Sequence, residues 1–362
     1  DISDPTSPTS VGRLADDGTK LLNKSVDVAT FILPNYLNQH TGLHEDIAFA
    51  AVAGSGDNGI EMVNISDPTN LSDTYRQGDG VDTGVCTAAN GERCLGHVSA
   101  VATATIGGKT YVVAAGQADD GIEIIEVTTD EEDEHTFQST VVGRIVDDGT
   151  TLLNFPNDVA IATIDGKTYA VVAAAIDDGI EIIDISDPTS PVHVGKMADD
   201  AEKVLAQTYG VAIATIDGST YAVAVGYRDN GIAIIDISTP ASPVYVSQLE
   251  DEEPPGTNIR KCSAANGDRC LDGPTDVAVE TIGGLTYAIV TSKDDSAVTV
   301  IDITTPSNPT IVAQIAEDDD NDQELLGAKA VSIATIGDSI YAVVSGWSDD
   351  GIEIIHLYTG ST

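Results

Sequence analysis

One phrase recurs along this chain, and it constrains the fold more than any other feature. Its cleanest copy reads Asp158-Val-Ala-Ile-Ala-Thr-Ile164, Asp-Gly-Lys, Thr168-Tyr-Ala-Val-Val-Ala-Ala-Ala175, then Asp177-Asp-Gly-Ile-Glu-Ile-Ile-Asp-Ile-Ser186. Aligned on the residue that opens the third segment, the copies start at Gly59, Gly121, Gly179, Gly231, Ala297 and Gly351. Four short apolar segments per unit, at a spacing of this kind, predict a β-propeller or another closed array.

Each unit reads as four strands, a to d. Strand a is the Val-Ala-Ile-Ala-Thr-Ile type (159–164, 211–216, 331–336), and strand b the Thr-Tyr-Ala-Val-Val type (110–115, 168–173, 220–225, 286–291). Strand c is Gly-Ile-Glu-Ile-Ile-Asp-Ile, and strand d is the Pro-Val-His-Val-Gly-Lys-Met type (191–197, 243–249, 309–315). β-Branched residues dominate and no 3.6-residue period is present, so strands win over helices. Gly107-Gly108, Asp165-Gly166, Asp217-Gly218 and Gly283-Gly284 stand between a and b, where a two-residue hairpin needs positive φ. Strands b and c are nearly continuous in apolar residues, as expected when both faces of a sheet are covered. The small residues of strand a (Ala160, Ala162, Ala212, Ala214) suit a crowded innermost position.

The expectation is an all-β, six-bladed propeller of four-stranded antiparallel blades, with residues 1–362 as a single domain. Residues 1–16 hold the tail of a c–d connection and a d-type strand, Ser10-Val-Gly-Arg-Leu14, whereas the chain stops after the c-type strand at 351–358. Pairing the two would close the ring and remove an open edge. The same segment could instead complete a neighbouring molecule, which would build an assembly by strand addition. The Gly-Ile-Glu-Ile-Ile-Asp-Ile-Ser-Asp-Pro-Thr-Ser-Pro phrase at 179–191 resembles the LVIVD-repeat propellers, relatives of the YVTN group. That resemblance implies a protein of the secreted or surface type from archaea or bacteria. It implies no catalytic residues, because the family's motif residues are structural.

Acidic residues outnumber basic ones 59 to 16, for a formal charge of −43. Such a chain repels phosphate backbones and anionic lipid, which disfavours nucleic acid and membrane surfaces as partners. No apolar run approaches the ~20 residues of a membrane span. The first residue is Asp1 and no signal-type segment follows it, which reads as a processed or excised chain. The four cysteines form two matching segments, Cys86 to Cys94 and Cys262 to Cys270, each centred on Asn-Gly. A tight reversal there would bring each pair together, so local 86–94 and 262–270 disulfides and an oxidising, extracellular or cell-surface setting are expected. Sequons at Asn23, Asn64 and Asn70 are compatible with that setting.

Topology places the b–c turns and d–a loops on one face, where the acids concentrate. Asp119-Asp120, Asp177-Asp178 and Asp349-Asp350 precede the glycine of strand c, and Asp318, Asp320 and Asp322 alternate in the last d–a loop. Carboxylates in this number suit Ca²⁺, which takes hard oxygen ligands. The alternative is turn chemistry on a solvated surface, and the EF-type pattern fails because Gln323 and Lys329 stand where Gly and Glu are needed. His40 and His44 occupy an insertion between strands a and b of the first unit and could bind a transition metal if that insertion were helical. Tyr227 and Trp347 occupy matching b–c positions, as an aromatic ligand contact or as rim residues covering the core.

Two functional readings follow. The leading one is a non-catalytic surface or assembly module that meets protein or glycan partners at the cell surface, or copies of itself. The rival is a lactonase-like hydrolase with a divalent cation over a central channel, using Asp27, Asp158 and Asp276, which stand just before strand a in three units. Their competing role is to close turns.

Overall fold

The computed structural model describes residues 14, 20–37, 44–67, 69, 71–78, 95–129, 137–200, 202–251, 269–317, 324–348 and 351–359. They form six antiparallel sheets and no helix, the blades of a β-propeller. The first sheet is β1 (Ser25–Leu37), β2 (His44–Gly54), β3 (Gly59–Asn64) and β4 (Ser72–Gly78). The second is β5 (Val98–Ile106), β6 (Lys109–Gly116), β7 (Gly121–Thr129) and β8 (Phe137–Val146). The third is β9 (Pro156–Ile164), β10 (Lys167–Ala174), β11 (Gly179–Asp184) and β12 (Val192–Ala198). β13 (Thr208–Ile216), β14 (Ser219–Gly226), β15 (Gly231–Asp236) and β16 (Val244–Glu250) make the fourth. β17 (Pro274–Ile282), β18 (Leu285–Ser292), β19 (Ala297–Asp302) and β20 (Thr310–Ala316) make the fifth. The sixth has three strands among the described residues: β21 (Ala328–Ile336), β22 (Ser339–Gly346) and β23 (Gly351–Thr359).

The chain divides into two compact units. One takes residues from 10–176 and 181–194. The other takes residues from 1–9, 177–180 and 195–362. Within each unit the first strands of successive sheets abut. The Thr103 hydroxyl donates to the Thr30 carbonyl at 3.0 Å in one unit, and the Thr275 hydroxyl donates to the Lys329 carbonyl at 2.7 Å in the other. Ala162 and Ala214 are buried there, and Ala160 and Ala212 are half-buried. The second and third strands carry the core. Val112, Val113, Ile122 and Ile124 are fully buried in one unit, and Val223, Val225, Ile232 and Ile234 in the other. Aromatic rings are few, but Phe31 stacks on Phe49 at 5.5 Å.

The hairpin turns adopt the conformation that their residues demand. Asp165 and Gly166 have φ of 51° and 76°, and Gly107 and Gly108 have 59° and 81°. Fourth strands begin one residue after Pro191, Pro243 and Pro309, because proline has no N–H to give the ladder. First strands begin three residues earlier than the apolar pattern indicates. A β-bulge interrupts the pairing there, between Val98 and Ala100, Thr208 and Gly210, Pro274 and Asp276, and Ala328 and Ala330. The Asp-Ile-Ser end of strand c is a built turn. Asp184 accepts the Ser186 N–H at 2.9 Å, and the Ser186 hydroxyl accepts the Thr168 N–H at 3.0 Å. Asp236 with Ser238, and Asp302 with Thr304, repeat it.

Two consequences concern the fourth-strand position. Ile352 in β23 is 54% exposed, whereas its counterparts Ile60, Ile122, Ile180, Ile232 and Val298 are fully buried. A methyl at Gly143 in β8 would stand 1.9 Å from the Pro188 carbonyl oxygen. Gly143→Ala is therefore expected to destabilise the fold by about 1–3 kcal/mol in urea unfolding. Gly195, whose added methyl would lie 2.1 Å from the Pro240 oxygen, should behave alike.

Candidate functional site

The acidic turns between second and third strands are occupied by the fold itself. Two residues before the third strand, Asp57 accepts the Asn23 N–H at 2.8 Å and Asp119 the Gly96 N–H at 2.6 Å. Asp229 and Asp295 likewise accept the N–H groups of Ala206 and Asp272, each at 2.8 Å. The next residue reaches across to the loop leading into the following sheet. Asn58 accepts from His97 at 2.8 Å, Asp120 from Phe155 at 2.9 Å, and Asp178 from Gln207 at 2.7 Å. Asn230 accepts from Gly273 at 3.1 Å, and the Ser296 hydroxyl from Gly327 at 3.0 Å. Acceptor and donor residues both have positive φ, from 51° at Asp120 to 69° at Gly327. Asp177 holds the equivalent turn position in the third sheet. In the fifth sheet Asp295 and Ser296, the two residues before Ala297, take the two roles.

The three acids before strand a make the same kind of bond. Asp27 accepts from Val28 in its own strand and from Val101 in the next sheet, both at 2.7 Å. Asp276 accepts from Val277 at 2.7 Å and from Val331 in the next sheet at 2.9 Å. Asp158 accepts from Val159 at 2.7 Å. Burial pushes the Asp27 carboxyl above its ordinary value of 3.8, against the lowering effect of its two N–H donors. Mid-strand acids missed by sequence reasoning belong to this set. Glu61 and Glu181 are fully buried and accept the N–H groups of Leu21 at 3.0 Å and Leu152 at 2.8 Å. Their signal was a charged residue recurring inside an apolar strand.

Among the described residues no three His, Cys, Asp or Glu side chains gather as a metal site. An acidic depression of about 410 Å³ is lined by Asp199, Asp200, Glu202, Asp229 and Glu250 together with Lys203. Burial, and then the Asp229 charge, push the Asp199 carboxyl up. Asp349, Asp350, Asp318, Asp320 and Asp322 lie outside the described residues, as do His40, Asn70, Cys86, Cys94 and Cys262. His44 is exposed at the start of β2 and pairs with Leu37, so the insertion's described flanks extend the hairpin rather than form a helix. Asn23 is exposed in a turn, and the Asn64 side chain accepts the Ser66 N–H at 3.0 Å. Cys270 is fully buried, and no described cysteine is a free thiol.

The residue that each first-strand bulge re-aims differs from sheet to sheet in what it bonds: the Ser99 and Thr275 hydroxyls donate to the Pro156 and Lys329 carbonyls of the next sheet at 2.6 and 2.7 Å, whereas the Tyr209 and Lys329 side chains make no such bond among the described residues. It is Val26, Ser99, Asn157, Tyr209, Thr275 and Lys329 in turn. The sequence signal was available: these positions differ in every unit, whereas the valine two residues on (Val28, Val101, Val159, Val211, Val277 and Val331) repeats. Tyr209 packs edge-on against Tyr227 at 4.9 Å, and the Lys329 ammonium lies over the Trp347 ring at 4.3 Å.

The sequence pattern of the LVIVD repeat matches residues 1–16, 164–199, 221–251 and 286–316. No curated protein sequence matches this one. A functionally unknown protein from Desulfotomaculum acetoxidans has a similar structure, with TM-score 0.55 and 12% identity over 97% of this chain and 95% of that one. A putative 6-phosphogluconolactonase from Bacteroides uniformis gives 0.51 and 11% identity over 82% and 80%. One from Bacteroides fragilis gives 0.51 and 13% over 82% and 85%. At these identities the likeness is one of fold.

Asp276→Ala leaves the Val331 N–H without its acceptor and is expected to cost about 1.5–3 kcal/mol in chemical denaturation. The cost of Asp27→Ala should depend on pH. A raised folded pKa gives a contribution that is full below pH 3.8 and lost as pH rises through the raised value. The difference between parent and variant should therefore shrink from acid toward neutral pH.

Proposed function

We propose that this LVIVD-repeat propeller is a non-catalytic structural and interaction module of the cell surface or extracellular space. The observation that carries the reading is the use of its acids. The carboxylates that a hydrolase would turn toward a cation hold backbone N–H groups instead, and Asp27 and Asp276 each engage both oxygens in this way. The lactonase-like alternative rests on neighbours that share the fold alone, and it would need Asp27, Asp158 and Asp276 released from those bonds.

Self-association through the N-terminal strand belongs to the same reading. Val11-Gly-Arg-Leu14 copies Val142-Gly-Arg-Ile145 and Val194-Gly-Lys-Met197, and the LVIVD pattern includes residues 1–16. Glu353 occupies the position from which Glu123 faces Arg144 at 4.0 Å, so Arg13 is the matching cation. Residues 8–14 would cover the exposed Ile352, from the same chain or from a second copy. Deleting residues 1–16 is expected to lower the melting temperature, and a peptide of that sequence should restore it. Light scattering on the parent and the deletion separates the two routes, since only strand exchange loses assembly on deletion. Unchanged stability and size would end the proposal.

An oxidising setting is supported by Cys270, which is buried and not a free thiol, and the proposed bonds are Cys86–Cys94 and Cys262–Cys270. Cations act on this chain by screening its charge of −43 rather than through a built calcium site. Melting curves in NaCl and CaCl₂ at matched ionic strength are expected to coincide, and both should fall in low salt. A rise specific to calcium would show coordination instead.

A further inference from the structure

The last three sheets carry charged and aromatic side chains at positions where the first three have none. Tyr209 and Lys329 are the bulge residues of β13 and β21, and Thr275 stands at the same point of β17. Tyr227, Lys293 and Trp347 open the turns after β14, β18 and β22, each with its N–H bonded to the loop before the first strand. The equivalent positions in the first three sheets are Val26, Ser99 and Asn157 and, in the turns, Ser55, Gln117 and Ala175. None of these carries a charge or an aromatic ring.

The chemistry of the patch is specific. The chain has only 16 basic residues, and Lys109, Lys167 and Lys203 are paired with Glu126, Asp184 and Asp200. Lys293 and Lys329 form no ion pair among the described residues, and their strands meet: the Thr291 hydroxyl, two residues before Lys293, donates to the Lys329 carbonyl at 3.1 Å. Burial, and then Lys293, push the Lys329 ammonium below its ordinary range. An anion between the two would offset their mutual repulsion. Beside them Trp347 is 62% exposed and offers a flat apolar face, while the Tyr227 hydroxyl donates to Asp294 at 3.0 Å. Asp294 is itself exposed and can accept further hydroxyl groups. Cations for one carboxylate, a ring for a C–H face and a carboxylate for hydroxyls describe a sugar acid. The chain's charge of −43 repels any long polyanion, phosphate or uronate, so the fit is to one or a few sugar units.

We propose that Tyr209, Tyr227, Lys293, Asp294, Lys329 and Trp347 bind a carboxylate-bearing sugar of the uronic acid class. The inference rests on the reading of the chain as an interaction module, and it is independent of strand exchange.

Trp347 is the chain's one tryptophan, so its emission reports on this patch alone. The probes are galacturonate and its trimer, with galactose and sodium sulfate at matched ionic strength as comparisons, and calorimetry as a second readout. Saturable binding of galacturonate is expected, weakened at least about tenfold in Lys293→Gln/Lys329→Gln, which keeps the tryptophan and should melt as the parent does. No binding by either readout would overturn the proposal. So would equal binding of galactose, which needs no cation, or of sulfate, which needs no ring. Any of these outcomes leaves the deletion experiment, and the module reading it tests, intact.

Discussion

A carboxylate or amide oxygen accepting a backbone N–H from the next sheet is the bond on which this molecule depends. A sheet propagates by its own ladder, but nothing in a ladder tells one sheet where the next should stand. Asp120, Asp178 and Asn230 supply that information through single directional bonds to Phe155, Gln207 and Gly273. Bonds to an ionised acceptor are roughly twice as strong as neutral ones. Apolar packing between neighbouring sheets is non-directional, so register between sheets rests on these acceptors.

The same bonds account for much of the composition. Asp-Asp-Gly looks like a cation-binding phrase when read as a string, because both its carboxylates are imagined as free. In three dimensions the first closes onto its own sheet's loop and the second reaches the next sheet's loop. Substitution of Asn or Ser at the second position, as at Asn58 and Ser296, keeps the bond and discards the charge. Geometry rather than charge is what the position requires.

Strand type and the starts of all six third strands were legible in the sequence, because β-branched apolar runs and Gly-rich turns are local properties. The bulges were not legible. Each falls ahead of the apolar run of its strand and shows only in pairing, as between Thr208 and Gly210, before Val211. Nor was the destination of Asp27 legible, since its partner Val101 is 74 residues away and only the fold brings it near. The duty of Glu61 and Glu181 was hidden for the same reason: a buried acid is explained by its donor, and the donor lies in another loop.

At its crest a bulge leaves one side chain outside the ladder, and what that side chain does is then set sheet by sheet. Ser99 and Thr275 spend theirs on the first strand of the following sheet. Among the described residues the side chains of Val26, Tyr209 and Lys329 make no such bond, so a single replacement there alters the surface and leaves the scaffold in place.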